Sequence, residues 1–144
     1  MSEEMIRVPW SDLSLDPEED LWCRDGKPFT GIAFDADASG RSESELRDGV
    51  HHGVGRAWYP TGGKWTEGHF RGGLLFGLNK VWHENGRVKS EETFEYGIRL
   101  RGEKWDDKGN LVEDFTIDES SPEFGTLRAY RARYGCGRTS TMDQ

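Results

Sequence analysis

The chain has 144 residues and a net charge of −8, from 19 lysines and arginines against 27 aspartates and glutamates. This length fits one domain, and a hydrophobic content of only 33% argues against a thick globular core. The acidic balance argues against a nucleic-acid surface or an anionic-membrane surface, because both need clustered Lys and Arg. It is compatible with a basic protein partner and equally with plain solubility.

No sorting signal is visible in the sequence. The first residues are acidic and lack an apolar run, which does not fit a signal peptide, and no segment is long and apolar enough to span a bilayer. Cys23 and Cys136 are far apart and stand in no metal-ligand spacing. Free thiols in a reducing compartment are therefore expected, and the sequence predicts a cytoplasmic protein.

Residues 1–20 form an acidic N-terminal arm, in which Arg7 is the one basic residue. Apolar alternation predicts a short strand over residues 6–10, followed by an acidic loop. Trp10 is predicted to cover the first open edge of the sheet, since open edges need protection from other chains. The alternative is that the arm forms an acidic contact patch.

The segment after the arm, residues 21–34, reads as a strand, a turn and a second strand. Asp25 and Gly26 form a typical hairpin dipeptide, because glycine accepts a positive φ without steric cost. Pro28 must lie at a sheet edge or in a turn, because it cannot donate to a strand ladder.

A repeat dominates the rest of the chain. The pattern Trp-x-x-x-Gly begins at Trp58, Trp82 and Trp105, which are 24 and 23 residues apart. An acid follows each Trp after nine residues and an apolar residue after twelve, and a degenerate copy begins at Phe34. A fixed period in this range indicates a repeat architecture, so four copies are predicted over about residues 30–117.

Each copy reads as one β-hairpin that cannot bury a face alone. Turns at the Trp-x-x-x-Gly segments predict cross-strand ion pairs. The recurring acid is therefore interpreted as the structural partner of a recurring base. The alternative is that the acid has a role in binding. The predicted opposite pairs are Trp58 with Trp65, Arg56 with Glu67, Trp82 with Lys89, and Lys80 with Glu91. In the last copy Glu103 would face Asp114, so those acids need a base from outside or leave the repeat weaker. A column of tryptophans is predicted to run through the sheet as its spine.

A capping helix is predicted over residues 121–135. Ser121 is a good N-cap with Pro122 behind it, and Gly135 provides a stop signal. Apolar residues recur at helical spacing, and three arginines are expected to pair with the acidic body. These residues are Phe124, Leu127, Tyr130 and Tyr134, with Arg128, Arg131 and Arg133. Residues 137–144 read as a disordered tail, and residues 1–144 as a single domain.

Motifs for catalysis are missing from the sequence. The four histidines, at 51, 52, 69 and 83, stand in no metal-ligand spacing, although His69 and His83 come from neighbouring hairpins that could bring them together. There is no nucleophile motif and no phosphate-binding loop. We therefore predict no enzyme, no metal and no cofactor; an active site would require acids that converge in three dimensions.

These residues resemble the MORN-repeat variant of the bacterial YwqK-like antitoxin family. The likeness covers about residues 20–117, with residues 24–31 similar to the family's opening and residues 82–87 to its core repeat. It implies a mainly β fold, an elongated antiparallel meander of MORN-like hairpins with a short C-terminal helix. It also implies a non-catalytic immunity protein that binds and blocks a cognate toxin, for some relatives a nuclease or a nucleic-acid deaminase.

Aromatic and acidic residues on turns and strands are the candidate toxin contacts, since Trp and Tyr are enriched among interface hot spots. They are Tyr59, Trp65, His83, Glu84, Asp106 and Asp107. The alternative function is a scaffold that binds a cellular protein or itself through open sheet ends. Either a monomer or a homodimer fits the sequence. Lipid binding fits poorly with a charge of −8.

Overall fold

The computed structural model describes residues 5–135, which form two sheets and a C-terminal helix. The larger sheet has ten strands in the order β1-β5-β6-β7-β8-β10-β11-β12-β13, with β9 paired to β8, and the smaller has the order β2-β3-β4. All described pairings are antiparallel except that of β1 with β5. The predicted mainly β, antiparallel architecture with a short C-terminal helix is confirmed.

The strands are short in the N-terminal segment and mostly six to nine residues long in the repeat. Their bounds are β1 Arg7–Pro9, β2 Ser14–Asp16, β3 Leu21–Arg24, β4 Lys27–Pro28, β5 Gly31–Asp37, β6 Gly40–Arg47, β7 Val50–Trp58, β8 Lys64–Arg71, β9 Leu74–Leu75, β10 Gly77–Trp82, β11 Val88–Glu95, β12 Ile98–Trp105 and β13 Leu111–Thr116. A 3-10 turn spans Trp10–Asp12, helix α1 spans Pro122–Tyr130, and a π-helical turn follows over Arg131–Gly135.

Tight turns with two left-handed residues join several of the strands. Asp25 and Gly26 have φ of 53° and 81°, and the same pair of conformations recurs at Tyr96 and Gly97, with 51° and 78°. Two positive φ values match the twist of the flanking strands, and glycine at the second position adopts its value without strain. The predicted hairpin at Asp25 is confirmed, and Pro28 lies on the edge strand of the small sheet as expected.

The predicted hairpin register is correct for the charged pairs and wrong for the tryptophans. Arg56 lies opposite Glu67 and Lys80 opposite Glu91, as predicted. Trp58, however, pairs with Lys64 and not with Trp65, because a bulge interrupts the ladder beside each repeat tryptophan. The other two hairpins have the same irregularity, so Trp82 pairs with Val88, not Lys89, and Trp105 with Leu111. A bulge adds one residue to one strand and shifts every pairing beyond it.

The predicted column of tryptophans is also corrected. Trp58 and Trp82 end β7 and β10 and therefore lie two strands apart, at about 9 to 10 Å given the usual strand spacing. Among the described residues no ring-to-ring contact joins the repeat tryptophans. Cations lie between and beside them: the Arg41 guanidinium is 4.1 Å from the Trp58 ring centre, and the Lys64 ammonium is 5.3 Å from that of Trp82. The first two repeat tryptophans therefore pack against cations and not against each other.

The apolar core lies at the N-terminal end of the molecule. The predicted strand is present as β1, but the segment beyond it is not simply an acidic loop, because the 3-10 turn and β2 fold back over the sheet. Trp10 packs edge-on against Trp22 at 4.8 Å between ring centres and does not cover the sheet edge; β1 is itself the edge strand. The buried cluster on which both tryptophans pack consists of Val8, Leu13, Phe29, Ala33 and Leu46.

Helix α1 begins as predicted, with the Ser121 hydroxyl accepting a bond from the Phe124 N–H at 3.3 Å. Leu127 is fully buried, and Tyr130 stacks on Tyr96 at 5.3 Å, so the helix docks at the turn between β11 and β12. Arg131 pairs with Glu95 at 2.7 Å, as expected.

The other two helix arginines depart from the prediction. The guanidiniums of Arg128 and Arg133 lie over the rings of Phe124 and Tyr134, on the helix itself. The predicted tail and Cys136 lie outside the described residues. None of the described helices is long and apolar enough to cross a membrane.

Candidate protein-interaction site

The three Trp-x-x-x-Gly turns lie side by side at one end of the large sheet, which we call the turn edge. Each turn is closed by the same backbone bonds: in the first, the Gly62 N–H donates to the Tyr59 carbonyl at 2.8 Å and the Tyr59 N–H to the Gly63 carbonyl at 2.9 Å. Gly62, Gly86 and Gly109 have φ between 91° and 98°, a left-handed conformation that favours glycine. This requirement explains the fixed spacing from Trp to Gly.

Side chains on one turn bond to the backbone of the next turn. The Tyr59 hydroxyl donates to the Trp82 carbonyl at 2.6 Å, and His83 Nε2 lies 2.9 Å from the Trp105 carbonyl. Because a carbonyl oxygen only accepts, His83 carries its proton on Nε2 in this contact. The Asn85 amide also donates to the Asp107 carbonyl at 2.8 Å. The residue after each of the first two repeat tryptophans therefore fastens one hairpin to the next.

An open depression of about 420 Å³ lies along this edge. It contains four of the six sequence-predicted contact residues and one that sequence reasoning missed, Asn85. The signal for Asn85 was its place before the turn glycine, where a short polar side chain bonds locally. The depression is lined by Tyr59, His83, Glu84, Asn85 and Asp107.

Trp65 extends the depression with an aromatic surface. It is the extra residue of the first bulge, is 39% exposed, and stacks on Tyr59 with ring centres 5.1 Å apart. Sequence reasoning placed it against Trp58, so this contact is a correction that follows from the bulge. The stacked pair presents a rigid apolar surface beside acids, and rings of this kind are common in binding surfaces.

The charged residues that line the depression are both acids, whereas the turns at 83–87 and 106–110 also carry one exposed base each. Glu84 and Asp107 are exposed. Partial burial, and next the negative charge of Glu84, raise the pKa of the Tyr59 hydroxyl above its usual value, so this phenol stays protonated and keeps its bond to the Trp82 carbonyl.

Asp106, the sixth predicted contact, has a structural role in its own turn. Its carboxylate accepts bonds from the backbone N–H groups of Asn110 and Lys108, both at 2.9 Å. The Asn110 N–H first, and the Lys108 N–H in addition, lower the pKa of this carboxyl. Asp106 therefore orders the turn, and it does not line the depression.

A second charged feature crosses the sheet as a row of directly opposite residues, which we call the charge row. Acids and bases alternate along most of it, and salt bridges within the row join Arg56 to Glu67 at 3.7 Å and Lys80 to Glu91 at 3.1 Å. At its far end Glu103 lies opposite Asp114, as predicted. In order, the row is Glu43, Arg56, Glu67, Lys80, Glu91, Glu103 and Asp114.

Neither feature forms a metal cluster or brings the histidines together within residues 5–135. No group of three or more His, Cys, Asp or Glu side chains there could hold a metal ion. His69 and His83 are not brought together: His69 Nδ1 lies 2.8 Å from the Leu78 carbonyl, while His83 contacts Trp105. The arrangement offers aromatic surface and negative charge, which suit recognition of another macromolecule.

The fold and this site define a mainly β protein of consecutive hairpins, with aromatic and acidic side chains around a depression at its turn edge. The chain is 38% identical over 123 residues to the immunity protein YwqK of Bacillus subtilis, a match that covers 84% of this chain and 78% of the relative. The chain belongs to the family of that immunity protein. No family profile matches the chain, and no solved structure matches it, so the resemblance to MORN repeats stays a prediction.

Proposed function

We propose that this protein is a bacterial immunity protein that acts in the cytoplasm by binding a cognate toxin and blocking its active site, without chemistry of its own. The observation that carries the proposal is the 38% identity to an immunity protein over most of both chains. The open depression at the turn edge supports it, since that edge joins exposed aromatic and acidic groups on an ordered frame.

Charge complementarity is the physical basis of the proposed inhibition. A toxin that acts on nucleic acid, such as a nuclease or a nucleic-acid deaminase, needs a basic cleft to hold phosphates. A protein with a net charge of −8 is attracted to such a cleft over several ångströms, which speeds association and disfavours neutral partners. The proposed substrate class of the toxin comes from the family resemblance, and the net charge of −8 is compatible with it.

The proposed contact surface is the depression together with Trp65. The stacked rings of Trp65 and Tyr59 would fill an apolar recess of the toxin, while Glu84 and Asp107 pair with its bases. His83 and Asn85 hold the neighbouring turns at fixed separation through bonds of 2.9 and 2.8 Å. A surface fixed in this way loses little side-chain freedom on binding, which favours affinity.

Co-expression tests the proposal directly. The probe is the toxin domain encoded by the reading frame next to this gene, produced active for growth assays and with its catalytic residue replaced for binding assays. We expect the wild-type protein to restore growth and to co-purify with the inactive domain in a stoichiometric complex. A toxin that remains lethal, with no complex on size exclusion, would overturn the proposal.

Two variants test whether the toxin binds at the proposed contact surface. Trp65→Ala and Glu84→Lys should each weaken the complex by about tenfold or more, as expected for a buried aromatic anchor and a reversed charge. The matched control is Glu19→Lys, which makes the same charge change on the exposed N-terminal arm and should bind like the wild type. Equal binding by all three variants would leave immunity in place and move the contact surface elsewhere.

A further inference from the structure

The outer edge of β13 has backbone groups directed away from the sheet. The Ile117 N–H donates to the Leu100 carbonyl at 2.8 Å, so Leu100 and Ile117 are a hydrogen-bonded pair. The next pair along the ladder, Arg101 with Thr116, is therefore a non-hydrogen-bonded pair. Hydrogen-bonded and non-bonded pairs alternate along an antiparallel ladder. Thr116 and Asp114 therefore direct their N–H and C=O groups outward, past the last strand of the sheet.

This edge lacks the protection that the opposite edge has. Strand β1 has three residues and ends at Pro9, and short edge strands and prolines both discourage pairing with other chains. Strand β13 has six residues and contains neither Pro nor Lys. Its first residues, Leu111 and Val112, are 53% and 62% exposed. Among residues 5–135, no strand pairs with β13 except β12.

The charge row points to the kind of strand that this edge accepts. Inside the sheet each base in the row lies between two acids, and Lys80 for example is opposite both Glu67 and Glu91. The row then ends on Glu103 and Asp114, for which no described residue supplies an ion pair. The next position in the row, one strand beyond β13, is about 5 Å from Asp114, and a base there would face Asp114 as Lys80 faces Glu91.

A second copy of this chain is a poor occupant. In a two-fold dimer, β13 would pair with β13 of the second copy, and residues whose backbone groups point outward must face residues of the same kind. The two such registers with the greatest overlap place Glu113 opposite Glu113 or Asp114 opposite Asp114. Like charges directly opposite each other destabilise a strand pair, so the edge selects against self-association.

We propose that β13 is a strand-addition edge for the toxin: an extended segment of the toxin pairs with it and places a Lys or Arg opposite Asp114. This inference rests on the proposed function and deepens it. Main-chain bonds to Asp114 and Thr116 supply affinity, and the unpaired acids supply specificity. Leu111 and Val112 supply apolar contact beside the first residues of β13.

The test measures binding of the full-length protein to the catalytically inactive toxin domain from the neighbouring reading frame. Asp114→Lys should weaken binding about tenfold or more, whereas Glu19→Lys should not change it. Asp114→Pro should bind about tenfold more weakly than Asp114→Ala, because both lose the charge and only the proline loses the outward N–H. Thr116→Pro against Thr116→Ala repeats the backbone comparison with the acid in place, and thermal unfolding confirms that each variant is folded.

Hydrogen exchange gives an independent readout on the wild-type protein. The amides of Asp114 and Thr116 should exchange quickly in the free protein and become protected in the complex. Protection at Glu113 and Phe115, which already bond to β12, should change little. No protection at Asp114 and Thr116 in a complex that does form would overturn the inference.

The remaining outcomes separate this inference from the proposed function. If wild-type protein binds no toxin, the proposed function fails as well. If it binds and the Asp114 and Thr116 variants all bind within about twofold of it, immunity stands and the strand-addition edge is wrong. A homodimer broken by Thr116→Pro, or faster exchange at Asp114 after deletion of residues 136–144, would show that a second copy or the chain's own tail occupies the edge.

Discussion

The N-terminal and C-terminal parts of the molecule are stabilised in different ways. The N-terminal part, which we call the core block, comprises β1 to β6 and buries Leu46, Phe29 and Ala33 to 5% exposure or less. The open sheet, β7 to β13, has mostly half-buried side chains, and its described fully buried residues are small: Gly68, Ser90 and Gly102. Burial of apolar area, the main favourable term in folding, is therefore concentrated at one end.

This difference shows how a chain with 33% hydrophobic residues can form a ten-stranded sheet. The open sheet depends on backbone ladders, cross-strand ion pairs, cation–π contacts and bonds between turns, each of which contributes modestly. It extends from the core block as repeats do, each hairpin using its neighbour as a template. At the far end α1 contributes one fully buried side chain, Leu127.

The sharpest test of this comparison is a pair of leucine truncations. Leu46→Ala should lower the free energy of unfolding by about 2–5 kcal/mol, because it removes buried methyl groups and leaves a cavity in the core block. Chemical denaturation followed by tryptophan fluorescence measures the change. Leu78→Ala is the matched control in the open sheet, where Leu78 is 44% exposed, and should shift the free energy by about 0.5 kcal/mol or less. Equal losses would show that both parts bury comparable area.

A second pair of variants tests how the small sheet is fastened to the large one. Gly49 has a φ of +84°, and a Cβ there would lie 2.9 Å from both Leu21 Cβ and the Trp22 carbonyl oxygen. Gly49→Ala should therefore cost about 1–3 kcal/mol through backbone strain and displacement of the small sheet. The control is Gly86→Ala in the open sheet, with a φ of +91° and no atom within 4 Å, which adds strain alone. The midpoint temperature of thermal unfolding should be lower for Gly49→Ala than for Gly86→Ala. The reverse order would contradict the close approach at Gly49.

A third prediction concerns the bonds between turns in the open sheet. Tyr59→Phe removes the donor to the Trp82 carbonyl, a bond of 2.6 Å, and should cost about 0.5–1.5 kcal/mol. In this variant, amide hydrogen exchange should be faster around residues 59 and 83, while the exchange rates in the core block stay unchanged. Tyr134→Phe is the control, since Tyr134 is 60% exposed. Uniform quickening across both parts would mean that the open sheet does not loosen separately.

The fourth and smallest effect is a pH dependence at the boundary between the two parts. His51 packs between Trp10 and Phe70, and its half-buried position lowers the pKa of its imidazole below the usual value. The unfolded chain then binds the proton more readily than the folded chain. Stability from this group is therefore complete above the unfolded pKa of about 6.5 and is lost as the pH falls through and below it.

The measurement is the free energy of unfolding between pH 7.5 and about pH 5, compared for the wild type and His51→Phe. The phenylalanine variant should lack the part of the decline that His51 causes, while the carboxylates contribute equally to both proteins. His52→Phe, at the neighbouring and more exposed position, should change the slope less. Parallel curves for the wild type and His51→Phe would show that protonation of His51 is not linked to folding.

Local pattern determined a large part of this structure. The turn glycines, the pairs of Arg56 with Glu67 and Lys80 with Glu91, and the Ser121 cap could be predicted, because each depends on spacing within one hairpin or one helix turn. The turn-edge candidates came from the same period, and four of them share the depression because the repeats lie in register. Their role in binding remains a proposal.

Tertiary structure decided what depends on residues far apart in the chain. The bulge beside each tryptophan is not visible in a hydrophobic pattern, and it moved Trp65 from Trp58 onto Tyr59. The folding of the N-terminal arm into the apolar core, the docking of α1 on Tyr96, and the bond from Tyr59 to Trp82 also join distant segments. Their energies come from burial and geometry that exist only after the hairpins have paired, so no short stretch of sequence specifies them.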